Sequence, residues 1–261
     1  MPLDNQERMQ IQVAAAGDIH CAEEERARLE AAFAEADRAA DLILLAGDLT
    51  TYGEPEQAAV LADVSREIET PIFAVLGNHD WHADRRDEVV ETLQDGNIHV
   101  LERDAATVDV RGATVGVVGT KGFIGGFPDA HLPDFGEPIL RRVYAETSAE
   151  VEAIDRGLRA VAGADLKIVL LHYSPTTTTL EGERQTIWAF LGSDRMARPI
   201  ATHRPDAVFH GHGHGGTFSG SIDGVPVFNV GVAVPVRDFW RFEFDPDRGL
   251  VGRPEAAVGR S

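Results

Sequence analysis

Five short polar clusters in the chain carry residue types that bind metals. They are Asp18-Ile19-His20, Gly47-Asp48, Gly77-Asn78-His79-Asp80, His172 and Gly211-His212-Gly213-His214. Together they offer carboxylate, amide-oxygen and imidazole donors without a thiolate. That set suits Mn, Fe, Zn, Co or Ni rather than Ca or an iron–sulfur cluster. The candidate ligands are Asp18, His20, Asp48, Asn78, His172, His212 and His214. They are too many for one four-coordinate ion. They are about right for two ions sharing a carboxylate, which in such sites lie about 3.5–4 Å apart.

Taken singly, each residue has a plainer reading. Asp18, Asp48 and Asn78 stand where helix N-caps prefer Asp and Asn. A lone histidine at a strand end, such as His172, is more often structural. The series outweighs these readings, because each cluster follows an apolar run. His82, His99, His131 and His203 read as ordinary loop or surface histidines, His82 lying nearest the clusters. Cys21 is the single cysteine, so no intrachain disulfide and no four-cysteine zinc site can form. It has no evident base and reads as a bystander. Gly211-x-Gly213-x-x-Gly216 fits a dinucleotide fingerprint literally, but Thr217 onward reads as strand rather than helix, so that context fails. No Gly-x-Ser-x-Gly elbow and no P-loop are present.

The clusters need a scaffold that gathers five segments at one edge. Residues 10–16 read as a strand ending at Gly17-Asp18. Residues 23–40 read as a helix with Leu29, Phe33, Ala36 and Ala40 on one stripe. Buried strands over 41–46 and 71–76 alternate with helices over 54–69 and 84–95. This series is the signature of an α/β domain with parallel strands. Ligands in open α/β sheets bind at the carboxyl ends of such strands. Further on, 98–101, 106–110 and 113–119 read as strands, 137–162 as containing a helix, and 165–171 as a strand running into His172. A helix over roughly 185–202 precedes a strand at 206–209. Strands at 216–222, 225–230 and 236–244 are expected to close the chain as a meander.

The ordered series Asp-x-His, Gly-Asp, Gly-Asn-His-Asp, His and Gly-His-x-His, from Asp18 to His214, resembles the calcineurin-like metallophosphoesterase superfamily. The resemblance implies a four-layer α/β sandwich of two stacked mixed β-sheets flanked by helices. It implies that Asp18, His20 and His214 hold a first divalent ion, Asn78, His172 and His212 a second, and that Asp48 bridges both. His79 is then the non-ligand histidine that contacts the phosphate and protonates the leaving oxygen, and Asp80 orients or acidifies that neighbourhood. The family pattern places glycine before the first histidine of His-x-His. Phe209 precedes His210, so His212 and His214 are chosen and His210 is left behind the site or simply buried. The arginine that some branches use on the substrate side has no clear counterpart. Gly47-Asp48-Leu49-Thr50 followed by Gly53 resembles the cyclic-nucleotide-phosphodiesterase-like branch, and His172-Tyr173-Ser174-Pro175 with its threonine run resembles small prokaryotic members. The implied reaction is hydrolysis of a small phosphodiester by a metal-bridging hydroxide, with Mn favoured for activity. The alternatives are a phosphomonoesterase or a catalytically silent metal-binding scaffold.

Charge agrees with a small substrate. The 261 residues carry 24 Lys plus Arg and 43 Asp plus Glu, a net charge of −19. Such a surface repels long nucleic acid and anionic membranes. Two divalent ions bring +4 against −3 from Asp18, Asp48 and a hydroxide, so the centre itself attracts an anion. No run approaches the roughly 20 apolar residues of a membrane span, and Met1–Gln12 lacks an apolar signal region. A cytoplasmic protein is expected. One domain over 1–261 is expected, with 245–261 a peripheral tail; the oligomeric state is not legible. Tyr173, Phe123 and Trp81 either stack a base or pack. The loops 122–138 and 174–184 read as lids or as surface loops.

Overall fold

The computed structural model describes residues 10–231 and 238–256. Its first hundred residues alternate as β1 (Ile11–Ala16), α1 (Arg26–Ala39), β2 (Leu42–Ala46), α2 (Pro55–Ser65), β3 (Ile72–Val75), α3 (Arg86–Asp95) and β4 (Ile98–Val100). Then come β5 (Asp104–Val110), β6 (Ala113–Gly119), α4 (Pro138–Ala160), β7 (Leu166–Leu170), α5 (Trp188–Leu191), α6 (Ala197–His203) and β8 (Ala207–His210). The chain closes with β9 (Ser219–Ile222), β10 (Val225–Asn229), β11 (Trp240–Asp245) and β12 (Gly249–Ala256).

These elements form two six-stranded mixed sheets, ordered β12-β11-β1-β2-β3-β4 and β5-β6-β7-β8-β10-β9. β1 to β4 run parallel in the first, and β6, β7, β8 and β10 run parallel in the second. The continuous apolar runs follow from burial on both faces. On β2, Leu42 and Leu44 enter the layer between the sheets, while Ile43 and Leu45 pack under the helices. On β7, Leu166, Ile168 and Leu170 face the other sheet, and Val169 faces the helix layer. α1, α2 and α3 cover the first sheet with Leu29, Phe33, Leu61, Val89 and Leu93. α4 and α6 cover the second with Ile154, Leu158 and Ile200. The result is the expected four-layer helix–sheet–sheet–helix sandwich. Among the described residues no helix is long and apolar enough to cross a membrane.

Three expectations are corrected. The helix expected over 185–202 is broken into α5, a one-turn segment and α6. Gly192 lies so close to the backbone of Ser174 that a Cβ there would stand 1.9 Å from the Ser174 carbonyl oxygen. Ser193 then caps the next turn by accepting from the Arg195 amide. The closing strands do not make one meander. β9 and β10 pair in the second sheet, but β11 crosses to the first and pairs antiparallel with β1. It crosses because Phe242 and Phe244 fill the layer between the sheets. Residues 236–237 of that expected strand lie outside the described residues. The segment after Asp245, expected as a peripheral tail, is in part the strand β12, which returns along β11 at the edge of the first sheet; residues 257–261 lie outside the described ones.

Phe242 is buried against Phe209 (ring centroids 4.7 Å) and Phe228 (4.8 Å), which belong to the opposite sheet. Phe242→Ala should therefore cost about 3–5 kcal/mol. Urea unfolding checks this; a loss below about 1 kcal/mol would show that β11 does not close the core.

Candidate metal centre

Every cluster singled out in the sequence lies just past the carboxyl end of a strand. Asp18 and His20 follow β1, Asp48 follows β2, and Asn78 to Asp80 follow β3. His172 follows β7, and His212 and His214 follow β8. The pairing continues into these turns. The amide of Asp18 donates to the Gly47 carbonyl (3.0 Å), that of His20 to Asp48 (2.9 Å), and that of Gly211 to His172 (3.2 Å). Two further bonds tie the two sheet edges together, His172 Nδ1 to the Ala46 carbonyl (2.9 Å) and the His212 amide to Asp18 Oδ2 (3.0 Å).

Backbone conformation aims the donors. Asp18 (φ 57°), His20 (φ 47°), Asp48 (φ 49°) and His212 (φ 68°) all adopt the left-handed region. Each costs on the order of 1–3 kcal/mol and persists only where the surroundings impose it. The glycines beside them allow the close approach. A Cβ on Gly77 would stand 2.1 Å from Asp48 Oδ1, and one on Gly211 would stand 2.4 Å from Asp18 Oδ2.

The donor atoms gather in three overlapping triads, Asp18 with His20 and His214, His20 with Asp48 and His79, and Asp48 with His172 and His212, all within 4.8 Å inside each triad. His214 Nε2 lies 2.7 Å from Asp18 Oδ1, and His172 Nε2 lies 3.3 Å from Asp48 Oδ1 and 3.0 Å from Asn78 Oδ1. Asp48 Oδ2 stands 3.9 Å from both His20 Nε2 and His79 Nε2. All seven candidate ligands thus meet in one place.

The ring nitrogens suit cation binding. His172 Nδ1 bonds the Ala46 carbonyl (2.9 Å), which leaves Nε2 facing Asp48 and Asn78. His212 Nε2 bonds the Phe190 carbonyl (3.2 Å), which leaves Nδ1. A second hydrogen bond of this kind is what fixes the tautomer of a ligating histidine. The electrostatics agree. Burial alone would raise Asp18, but the hydrogen bond from His214, the charges of His172 and His214 and the His212 amide bring it down to about 2. Burial and adjacent Asp18 push Asp48 up. Burial, then the neighbouring His172, push His212 down to about 4, so it stands as a neutral donor. Burial also lowers His172 and His20, against the pull of the nearby carboxylates. These residues fit divalent-ion binding: oxygen and imidazole donors, aimed inward, around two buried carboxylates.

The remaining assignments separate. His79 Nδ1 bonds the Thr51 carbonyl (2.7 Å) and its amide donates to Asp48 Oδ1 (2.8 Å), so Nε2 faces the centre. Asp80 does not reach the cleft. It is fully buried and accepts from the amides of Leu49 (3.1 Å), Thr50 (2.7 Å) and Gly77 (2.8 Å) and from the Thr50 hydroxyl (2.7 Å). Its place is under the turns that carry Asp48 and His79, which it positions. His210 bonds the Gly211 carbonyl and the Thr179 hydroxyl, and burial pushes it down to about 4, so it is a neutral brace. Burial raises Cys21 to about 12, which removes it as a nucleophile. His82 stacks on His79 with ring centroids 4.5 Å apart, a contact that two loop residues did not advertise in the sequence. The threonine run is braced rather than free: Thr179 bonds His210 and accepts from the Thr217 amide. The 122–138 loop is tied to 189–192 through the amides of Gly125 and Gly126. Phe123 and Tyr173 pack on each other, and with Trp81 they surround Lys121, a residue the sequence did not single out.

Comparison with known proteins completes the description. The family model described as calcineurin-like phosphoesterase matches residues 11–216. No curated protein matches the chain by sequence. Among solved structures, a putative 5'-nucleotidase from Staphylococcus aureus superposes with a TM-score of 0.62 at 17% identity, over 97% of this chain and 55% of its own. The phosphopantetheinyl hydrolase of Mycobacterium tuberculosis gives 0.59 at 14% identity, over 84% and 88%. TT1561 of Thermus thermophilus gives 0.58 at 20% identity, over 95% and 99%. At these identities the likeness is one of fold.

Asp80→Asn places an amide NH2 among groups that all donate, and strands at least one buried amide. It should cost about 1–3 kcal/mol in urea unfolding. It should also weaken Mn²⁺ binding in titration calorimetry, because the turns under Asp48 and His79 loosen. Unchanged stability would show that the carboxylate is not their support.

Proposed function

The chain belongs to the calcineurin-like phosphoesterase family, and from that premise we propose that it hydrolyses a small phosphodiester at a dinuclear centre activated by manganese. One observation carries the reading: the donor triads form a chain, Asp18-His20-His214, His20-Asp48-His79 and Asp48-His172-His212, with Asp48 common to the last two. Asp18, His20 and His214 would hold one ion and Asn78, His172 and His212 the other, with Asp48 within reach of both sets. Ions bound there supply a nucleophile at neutral pH and offset the charge on the phosphoryl oxygens.

The chain's own residues do the rest. Asp48 and Asp18 are buried and fixed by the amides of His79 and His212, so the donors need no rearrangement to bind. His79 is oriented by the Thr51 carbonyl, and Nε2 is the atom that hands a proton to the leaving alkoxide. The turn that supplies Thr51 is closed by the Gly53 amide on the Thr50 hydroxyl (3.0 Å), and Gly53 abuts the carbonyls of His79 and Asp80. This is the segment whose sequence resembles the cyclic-nucleotide-phosphodiesterase-like branch, and it favours a diester over a monoester.

Metal-stripped protein should hydrolyse bis-p-nitrophenyl phosphate only after Mn²⁺ is restored, and faster than p-nitrophenyl phosphate. A faster monoester would reverse the substrate class. No turnover with two metals bound would leave a metal-binding scaffold. His79→Ala should lower turnover roughly 10²–10⁴-fold with metal content unchanged by elemental analysis. Equal activity in that variant would remove His79 from the reaction.

A further inference from the structure

Beside the centre lies a cavity of about 620 Å³. None of the candidate metal ligands lines it; Trp81 and Lys121 join it to the site. Its arginines are all engaged by carboxylates: Arg85 by Glu88 and Glu56, Arg86 by Asp87 and Glu102, Arg103 by Glu146 and Glu150. Lys121 is different. Among the described residues its ammonium has no ion pair, and its one hydrogen bond is a long one to the Gly122 carbonyl (3.4 Å). It is part-buried among three aromatic rings, with Nζ 4.2 Å from the Phe123 centroid, 5.3 Å from Tyr173 and 5.6 Å from Trp81.

Its placement is built rather than incidental. Glu150 of α4 is buried and accepts from both neighbours of Lys121, the Thr120 hydroxyl and the Gly122 amide. Arg103 holds Glu150 in turn (2.9 Å). The Lys121 carbonyl accepts from the amides of His172 and Tyr173 (3.0 Å each), so the residue is locked to the strand end that carries a candidate ligand. The rings around Nζ come from three segments, those after β3, β6 and β7, and two of them lead to the centre. Trp81 is two residues past His79, and Tyr173 packs on His212 with centroids 4.5 Å apart. A second donor lies in the same cavity. Arg86 Nε is buried with no hydrogen-bond partner among the described residues, and Arg86 also lies over the Trp81 ring, 5.8 Å away.

We propose that Lys121 binds the substrate's phosphate, its ammonium contacting a phosphoryl oxygen from the Trp81 side while the leaving group enters the adjoining cavity. Glu150 and Glu146 act on Lys121 only from beyond ion-pair distance, and the faces nearest its ammonium are aromatic, so the cation is left free to bind an anion. The inference deepens the phosphoesterase reading and rests on it for the identity of the anion.

The test uses the Mn²⁺-loaded full chain. Inorganic phosphate is titrated by calorimetry, and KM and kcat are measured on bis-p-nitrophenyl phosphate, for wild type, K121M, K121Q and K121R. The neutral variants should bind phosphate roughly 10- to 100-fold more weakly and raise KM by a similar factor, with metal content unchanged. K121R should recover most of the affinity. The loss should survive about 0.5 M NaCl, where the screening length falls to roughly 4 Å. Wild-type affinity in either neutral variant overturns the proposal. So does an effect that vanishes in salt, which marks a distant charge, and so does a wild-type protein that binds no phosphate. If wild type hydrolyses nothing yet the neutral variants lose phosphate, the phosphoesterase reading fails and Lys121 stands as an anion site.

Discussion

Two carboxylates buried side by side set the terms for the whole molecule. Asp18 and Asp48 are 2% and 1% exposed, and each raises the cost of ionising the other. Such a pair survives only where donors and cations surround it. The chain meets that demand with backbone amides and five histidines from both sheets, His20, His79, His172, His212 and His214. The strand ends must therefore converge closely, and the two sheets must stack in one register. The layer between them, built from Val13, Leu44, Ile168, Phe209 and Phe242, is what holds that register.

Backbone groups do much of this positioning. The carbonyls of Ala46, Thr51 and Phe190 choose which nitrogen of His172, His79 and His212 faces inward. Asp80 joins the turns after β2 and β3 from below, and Glu150 does the same for the turn after β6. Both are buried acids that touch only turns. The cleft is thus lined by one layer of side chains and shaped by a second layer of carboxylates beneath it.

The parallel strands were legible because burial on both faces writes continuous apolar runs, and the candidate ligands because each stands where such a run stops. Other features left no trace in one sequence. Alternation marks Trp240–Asp245 as a strand but does not say which sheet receives it. Helical periodicity over 185–202 hides a break imposed by the backbone of Ser174, a contact across the fold. The left-handed backbone of Asp18, His20, Asp48 and His212 depends on neighbours that only the tertiary structure supplies. Trp81, Phe123 and Tyr173 read as stacking or packing residues, and their common partner turned out to be an ammonium. Lys121 had one available signal: like the candidate ligands, it stands just past the end of an apolar strand.

The pairing of β11 with β1 has a consequence in time. β1 leads into Asp18 and His20 and emerges early in synthesis, whereas β11 ends at Asp245. Until then the nascent chain holds β1 with one edge bare and the inter-sheet layer lacking Phe242 and Phe244. Such an edge invites pairing with other chains. The turns that carry the candidate ligands reach their final shape only when β11 has joined β1, some two hundred residues further along the chain.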